Sequence, residues 1–193
     1  PSGDAVAAVA ARWSGPERLI AEVLPVTFDG ATARLAALLS EHRPDVVIAT
    51  GLAGGRNEVT PERVAVNLAD ARIPDNAGHR PQDAPVVAGG PAAYFSTLPV
   101  KAIAAGAAAA GIPSAVSHTA GTFVCNATMY AVLHAAAGTA TRAGFIHVPW
   151  ATGSAPEGMP SLPLGSIVEA LEIAVRVSID DRTDAGILGG ALS

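Results

Sequence analysis

Two kinds of apolar pattern alternate along this chain. Short runs of small and β-branched residues, such as DVVIA at residues 45–49 and FIHV at residues 145–148, are typical of strands covered on both faces. Longer stretches, such as residues 31–42 with Leu35, Leu38 and Leu39, repeat apolar side chains every three or four positions and predict amphipathic helices. Because the two patterns alternate throughout, the sequence predicts an α/β fold.

The same patterns place the individual elements. Residues 62–70 alternate apolar and polar positions and favour a strand, although Thr60-Pro61-Glu62 is also typical of a helix start. Segments rich in proline and glycine, residues 73–90 and 149–163, are expected to be ordered loops. The predicted helices cover residues 2–13 (with Ser2 as N-cap), 31–42, 98–110, 126–137 and 164–177, and the predicted strands cover residues 17–26, 45–49, 62–70, 114–118 and 145–148. We therefore expect three layers, α/β/α, around a mostly parallel twisted central sheet, with residues 1–193 in a single domain.

Composition and charge exclude several classes of function. The 193 residues are 50% hydrophobic and 15% charged, which is enough apolar material for a sizeable core. The net charge of −5 and the scattered basic residues argue against a nucleic-acid partner. No apolar run reaches the roughly 18 residues of a membrane span. A single cysteine excludes an intramolecular disulfide, so a cytoplasmic protein is expected.

That single cysteine, Cys125, is the first candidate for chemistry. Free cysteines are often buried filler, and composition alone favours that interpretation. The residue lies, however, where the turn AGT leads into a predicted helix. The free N–H groups of a helix N-terminus stabilise a thiolate and can hold an oxyanion, so the position favours a nucleophile.

A thiol nucleophile needs a base, and His147 is the leading candidate. It lies in FIHVP, an apolar strand that ends at a loop, where a structural histidine is the competing interpretation. In a parallel sheet the carboxyl ends of strands meet the N-termini of helices, so His147 and Cys125 would be neighbours. Of the other histidines, His118 could also lie near the thiol, whereas His42, His79 and His134 are expected to be solvated or to point elsewhere.

An acidic residue that orients the base would complete the arrangement. The candidates are Glu62, Asp70, Asp75 and Asp83, and Glu62 is favoured because it begins an otherwise apolar segment. The glycine-rich GLAGGR at residues 51–56 has neither the lysine nor the hydroxyl of a phosphate-binding loop. Neither the histidines nor the cysteine have the spacing of zinc ligands, so no metal or other cofactor is expected.

Four long segments, in a fixed order, carry a resemblance to a known family. They are GLAGGR with TPERVAVNLADARIPDN at residues 51–76, GPAAYFSTLPVKA at 90–102, GIPSAVSHTAGTFVCNATMY at 111–130 and GFIHVPW at 144–150. Together they resemble the pyrrolidone-carboxylate peptidases (pyroglutamyl peptidase I), cysteine peptidases that remove N-terminal pyroglutamate. The resemblance implies the same hydrolysis through a thioester acyl-enzyme, with N-terminally pyroglutamylated peptides as substrates and a homotetramer as the assembly.

The resemblance also assigns roles to individual residues. Cys125 in GTFVCN would be the nucleophile, His147 in GFIHVP the base and Glu62 in ERVAVN the acidic member. The pyroglutamate pocket would use Ile73, Phe123 and Val124, and Arg72 would contribute to the oxyanion site.

One departure from the family bears on that pocket. Family members open with a strand and a GFEPFGG-type loop, which this sequence does not contain ahead of Pro1. We expect that strand and loop to be missing from the sequence rather than from the protein. A non-catalytic binding protein on the same scaffold is the rival interpretation, and a nucleoside phosphorylase is a weaker alternative.

Overall fold

The computed structural model describes residues 1–181 and 183–188. These residues contain five helices and seven strands, joined by loops. In chain order they are α1 (Ser2–Arg12), α2 (Phe28–His42), β1 (Val46–Leu52), β2 (Thr60–Pro61), β3 (Val64–Val66), β4 (Ala93–Phe95), α3 (Val100–Ala109), α4 (Val124–Ala136), β5 (Arg142–Val148), β6 (Trp150–Ala151), β7 (Ser161–Leu162) and α5 (Leu164–Asp180).

The main sheet is organised around β5, which lies between β1 and β2. β1 runs parallel to β5 over its full length, from Val46 opposite Arg142 to Leu52 opposite Val148. β2 pairs with the end of β5 in the antiparallel sense, with Thr60 opposite His147. Two small sheets accompany it, an antiparallel pair of β3 with β4 and a parallel pair of β6 with β7. The sheet is therefore mixed, with its longest pairing parallel as predicted.

Helices cover both faces of this sheet, which confirms the three-layer α/β/α architecture. Successive side chains of a strand point to opposite faces. Ile146 and Val148 of β5 enter a core with α1, α3 and α5, whereas Ala143 and Phe145 enter a second core with α2 and α4. His147 belongs to the second set by this alternation, so it faces the layer that contains α4.

The five predicted helices are confirmed, with ends shifted by a few residues. Ser2 was predicted as an N-cap, which is wrong, because the helix begins at Ser2 itself and Pro1 is the cap. α2 begins earlier than predicted, since the Thr27 side chain accepts a hydrogen bond from Gly30 N and caps the helix there.

The predicted strand at residues 17–26 is wrong. The segment is extended but pairs with no strand in the described part of the chain, and Val23 is 70% exposed. Together with α1 and α2 it lines a cavity of about 540 Å³ that runs along β1 from Val46 to Thr50. An alternating apolar pattern makes a strand only where backbone groups find partners, and here the cavity lies between the segment and the sheet.

Two other predicted strands are shorter than expected. Residues 62–70 contain only β3, preceded by β2, and Glu62 lies between the two as an isolated bridge to Ser117. Residues 114–118 form two isolated bridges, from Ser114 to Val59 and from Ser117 to Glu62, instead of a continuous strand. These irregular pairings bring the backbone around Glu62 close to the segment that leads into α4.

Candidate active site

Glu62 and His147 form a buried hydrogen-bonded pair at the end of β5. Glu62 N donates to Phe145 O at 2.9 Å, which fixes the glutamate beside the strand that carries the histidine. Its carboxylate oxygen Oε1 lies 2.7 Å from His147 Nδ1. Glu62 is 0% exposed and His147 is 5% exposed, so little water competes for this bond. The imidazole is thereby fixed in orientation, with Nδ1 bonded to the carboxylate and Nε2 left for chemistry.

The buried carboxylate is held in its charged form. Burial alone raises the pKa of Glu62, but hydrogen bonds led by the one from His147 outweigh burial and leave its pKa below the ordinary value. Arg56 contributes to this effect, because its Nη1 lies 2.6 Å from the same oxygen, Oε1. Ser117 also lowers the pKa, although Oε2 has no donor at ordinary hydrogen-bond geometry among the described residues.

Cys125 is the second residue of α4, as the sequence predicts. The start of this helix is anchored by the neighbouring Asn126, whose Oδ1 accepts from Val66 N at 3.0 Å. The Nδ2 group of Asn126 donates to Val66 O and Leu68 O, both at 2.9 Å. Because Asn126 is 1% exposed and satisfied on both sides, it fixes the helix start against β3.

The thiol reaches the sheet at Gly51, the residue of β1 that pairs with His147. A Cβ atom placed on Gly51 would lie 2.8 Å from Cys125 Sγ and 2.8 Å from Phe145 Cζ. Because residue 51 of β1 is a glycine, the Cys125 sulfur can occupy the space that a side chain would fill. The sulfur therefore lies beside the paired strands β1 and β5, and β5 carries His147 with its hydrogen bond to Glu62.

The thiol itself does not titrate as the helix position predicts. Burial and, after it, the negative charge of Glu62 raise the pKa of Cys125 to about 11. The positive charge of Arg56 and a backbone hydrogen bond act in the opposite direction but do not compensate. The surroundings of Cys125 therefore favour the neutral thiol, against the thiolate expected from the helix N-terminus, and the proposed attack needs a base to remove the proton.

This raised pKa predicts the pH dependence of alkylation. Only the thiolate reacts with iodoacetamide, so we expect slow labelling at pH 7 and a rate that climbs about tenfold per pH unit. The climb is expected to continue to about pH 11, where the thiol has titrated. Intact mass spectrometry reports the site directly, since Cys125 is the only cysteine. A rate that already levels off near neutral pH would contradict the raised pKa.

A second expected result concerns the space at Gly51. In Gly51→Ala the new methyl group competes with Cys125 Sγ and Phe145 for the same volume, so the thiol is displaced. A shift of about 1 Å at a reacting atom costs about 100-fold in rate, so we expect kcat to fall by about that factor. Gly55→Ala is the matched control, because a Cβ at Gly55 meets no atom within 4 Å. Equal activities of the two variants would show that the close approach is irrelevant.

Comparison with known proteins agrees with this geometry. A family model described as pyroglutamyl peptidase matches residues 1–181. The chain belongs to the pyroglutamyl peptidase family. A pyrrolidone-carboxylate peptidase of Erwinia tasmaniensis is 48% identical over 193 residues, covering 99% of this chain and 91% of that protein. One of Thermococcus kodakarensis is 48% identical over 189 residues, covering 96% of this chain and 91% of that protein.

Solved structures of the same family are also similar. The crystal structure of the pyroglutamyl peptidase I from Bacillus amyloliquefaciens has a TM-score of 0.91 and 40% identity, covering 95% of this chain and 89% of that one. The pyrrolidone carboxyl peptidase from Thermococcus litoralis has a TM-score of 0.89 and 38% identity, covering 95% of this chain and 91% of that one. The pyroglutamyl peptidase fold therefore extends over nearly the whole chain.

Among the described residues, the other candidate acids and histidines make no hydrogen bond to Glu62 or His147. Asp75 is 6% exposed, but it accepts backbone hydrogen bonds from Phe28, Ala77 and His79, all at 2.9 Å. Burial raises the pKa of Asp75 and these bonds lower it further than burial raises it, so Asp75 serves to anchor the start of α2. The remaining alternatives, Asp70, Asp83, His118 and His134, are exposed, and His42 ends α2 beside Glu41.

The residues that the family resemblance assigns to the pocket are divided between buried and exposed places. Phe123 and Val124 precede Cys125 directly, and Phe123 meets Phe28 edge-on at a centroid distance of 5.3 Å. Val124 is 6% exposed and packs in a small core with Phe28. Ile73 is 64% exposed, and Arg72 is exposed beside it. The pocket roles of Ile73, Phe123 and Val124 and the oxyanion role of Arg72 all stay predictions.

Three residues at this pyroglutamyl peptidase site escaped the sequence interpretation. Gly51 and Arg56 lie in GLAGGR, to which the sequence assigns no site residue, and Asn126 follows the cysteine. The one available signal was Asn126, a polar residue in the first turn of an otherwise apolar helix. In the described part of the chain no group of three His, Cys, Asp or Glu side chains could hold a metal ion, and no helix there could span a membrane.

Proposed function

We propose that this chain is a cysteine-type pyroglutamyl peptidase that hydrolyses the bond after an N-terminal pyroglutamyl residue. The observation that carries the proposal is the buried 2.7 Å bond from His147 Nδ1 to Glu62, formed on the strand beside Cys125. Membership of the pyroglutamyl peptidase family supplies the substrate class. Glu62, Cys125 and His147 are the proposed catalytic residues.

The acylation step follows from the protonation states. Because the pKa of Cys125 is raised, the resting thiol is neutral and His147 Nε2 takes its proton as sulfur attacks the pyroglutamyl carbonyl carbon. Glu62 stabilises the imidazolium that forms. The backbone N–H groups at the start of α4, with Arg72 as a further contributor, hold the oxyanion. As the C–N bond breaks, the imidazolium gives its proton to the leaving amine and a thioester remains.

Hydrolysis of the thioester reverses the proton transfers. His147 removes a proton from water while the water oxygen attacks the thioester carbon, and the same proton returns to sulfur as pyroglutamate leaves. The two steps balance with groups of this chain, the peptide substrate and one water molecule.

Selectivity is proposed to come from an apolar pocket formed by Ile73, Phe123 and Val124. A pyroglutamyl ring is flat and uncharged, so apolar walls accept it without burying a charge, and a few backbone hydrogen bonds satisfy its lactam N–H and C=O. A free N-terminal glutamate carries charges that such a pocket leaves unpaired, and its desolvation is unfavourable.

The edge of the main sheet at β1 has room for a further strand. The cavity along β1 reaches Thr50, one residue from Gly51, and β1 is the end strand of its sheet in the described residues. We propose that the opening strand and loop expected from the family resemblance pair with β1 there and complete one peptidase domain with residues 1–193. The homotetramer implied by the resemblance and the cytoplasmic location expected from the composition are likewise proposals, and light scattering after gel filtration tests the former.

The test is a comparison of three fluorogenic amides of the same leaving group. The pyroglutamyl amide is expected to be hydrolysed. The glutamyl and prolyl amides are not, because both carry a charged amino group and neither has the lactam carbonyl. Turnover of the pyroglutamyl amide without added phosphate would also separate a peptidase from a phosphorylase. Binding of the pyroglutamyl amide without turnover would indicate a non-catalytic binding protein, which the family match does not favour.

A further inference from the structure

The glycine-rich segment GLAGGR has no part in the steps above, yet it delivers an arginine to the buried acid. Arg56 ends this segment, and its backbone N–H closes a turn by donating to Ala53 O at 3.0 Å. The turn passes close to Trp150, since a Cβ on Gly54 would lie 2.7 Å from the indole Nε1. The glycines therefore let the loop pack against this ring while its last side chain points inward.

The guanidinium of Arg56 joins three parts of the site. Nη1 donates to Glu62 Oε1 at 2.6 Å and also bonds the Thr60 hydroxyl, while Nη2 donates to Thr119 O at 3.1 Å. Thr119 lies in the segment that leads into α4 and Cys125. One side chain thus ties the acid to the approach of the nucleophile, through two nitrogens of one planar group.

The hydrogen bonds from Arg56 and His147 share one oxygen of the Glu62 carboxylate. Oε1 accepts from both Arg56 and His147, and Oε2 has no ordinary hydrogen bond within the described residues. A fully buried carboxylate without its counter-charge takes up a proton, and a neutral carboxyl group cannot stabilise an imidazolium. The groups that face Glu62 are Arg56, His147, Ser117 and Cys125, and among them Arg56 is the only permanent cation.

We propose that Arg56 is a positioning residue of the peptidase, which keeps the Glu62 carboxylate ionised and fixed on His147. The inference rests on the proposed function for its kinetic part only. It assigns to GLAGGR the task of presenting a cation to a buried acid rather than binding a phosphate.

The kinetic test compares Arg56→Met with Arg56→Lys over a range of pH. In Arg56→Met we expect kcat to fall about 10- to 100-fold, as for the loss of a charged hydrogen bond, with little change in KM. Without the guanidinium the pKa of Glu62 rises, so the acidic limb of kcat/KM moves up by about one pH unit or more. Arg56→Lys keeps the charge and is expected to restore most of the limb. Arg34→Met, which removes an exposed ion pair with Glu22, is the matched control with an unchanged profile.

A double-mutant cycle separates positioning from general structure. If Arg56 acts through Glu62, then Arg56→Met costs little more once Glu62→Gln is present, and the two effects are not additive. Additive losses, an unmoved acidic limb, or a lysine variant as impaired as the methionine variant would each overturn the proposal.

A measurement without substrate keeps the proposal independent of the reaction. The Nδ1 proton of His147 is expected as a downfield NMR signal that is absent in Glu62→Gln. It should persist to lower pH in the wild type than in Arg56→Met. If the wild type cleaves no pyroglutamyl amide, the proposed function fails, and this signal still decides whether Arg56 holds the pair together. Loss of the signal at the same pH in both proteins would overturn the role of Arg56.

Discussion

Cys125→Ala is expected to lower kcat/KM for a pyroglutamyl amide by about 10⁴-fold or more, to the level left by binding and oxyanion stabilisation alone. The reason is that the thioester cannot form without sulfur, and no second cysteine exists in the chain to replace it. Initial rates with the fluorogenic amide at several enzyme concentrations measure the loss.

The control for this variant lies in the same helix. Thr128→Ala removes a buried side chain of similar size one turn further along α4, where the hydroxyl only bonds Val124 O at 2.8 Å. It is expected to keep wild-type kinetics apart from a modest loss of stability. Robust cleavage by Cys125→Ala would contradict the thiol mechanism. Equal losses of kcat/KM in Cys125→Ala and Thr128→Ala would indicate a folding defect.

The second large effect is expected for Glu62→Gln. The amide has almost the same shape as the carboxylate, but it carries no charge, so the imidazolium loses its stabilising partner and Arg56 loses its counter-ion. By analogy with the orienting acid of a catalytic triad, we expect kcat to fall about 10³- to 10⁴-fold. Breaking one partner of a buried charged pair also lowers stability, which urea denaturation reports.

Glu22→Gln provides the matched surface control. Glu22 also pairs with an arginine, at 3.1 Å from Arg34, but both side chains are about 40% exposed in this pair (41% for Arg34 and 39% for Glu22). Such pairs contribute little, so wild-type kinetics and nearly wild-type stability are expected. If Glu62→Gln retained more than a tenth of wild-type kcat/KM, as an order-of-magnitude threshold, the orienting role would be excluded.

Local patterns were sufficient for much of the fold. Helical periodicity predicted all five helices, because the apolar stripe of each one packs on a sheet face or a neighbouring helix. Periodicity could not show which extended segments find partners. The segment at residues 17–26 has the composition of a strand, but pairing depends on distant backbone, and here a cavity separates it from β1.

The candidate site was predicted in part for a similar reason. Cys125 and His147 stand out locally, one as a lone thiol at a helix start and the other as a polar residue in an apolar strand. Arg56 does not, because its role depends on a hydrogen bond to the buried carboxylate of Glu62, which no local pattern reveals. The raised pKa of Cys125 likewise results from burial and from a carboxylate on another element, which outweigh the helix N-terminus.

The irregular bridges around Glu62 have a consequence for biogenesis. The acid is attached to the cysteine approach through Ser117 and to the histidine strand through Phe145, so three distant stretches of chain must associate before any catalytic geometry exists. Such non-local associations form late during folding. A nascent or partly folded chain therefore has no peptidase activity, and recovery of turnover after dilution from denaturant should trail the recovery of helical circular dichroism. The rate of turnover therefore measures how much of the protein has completed folding.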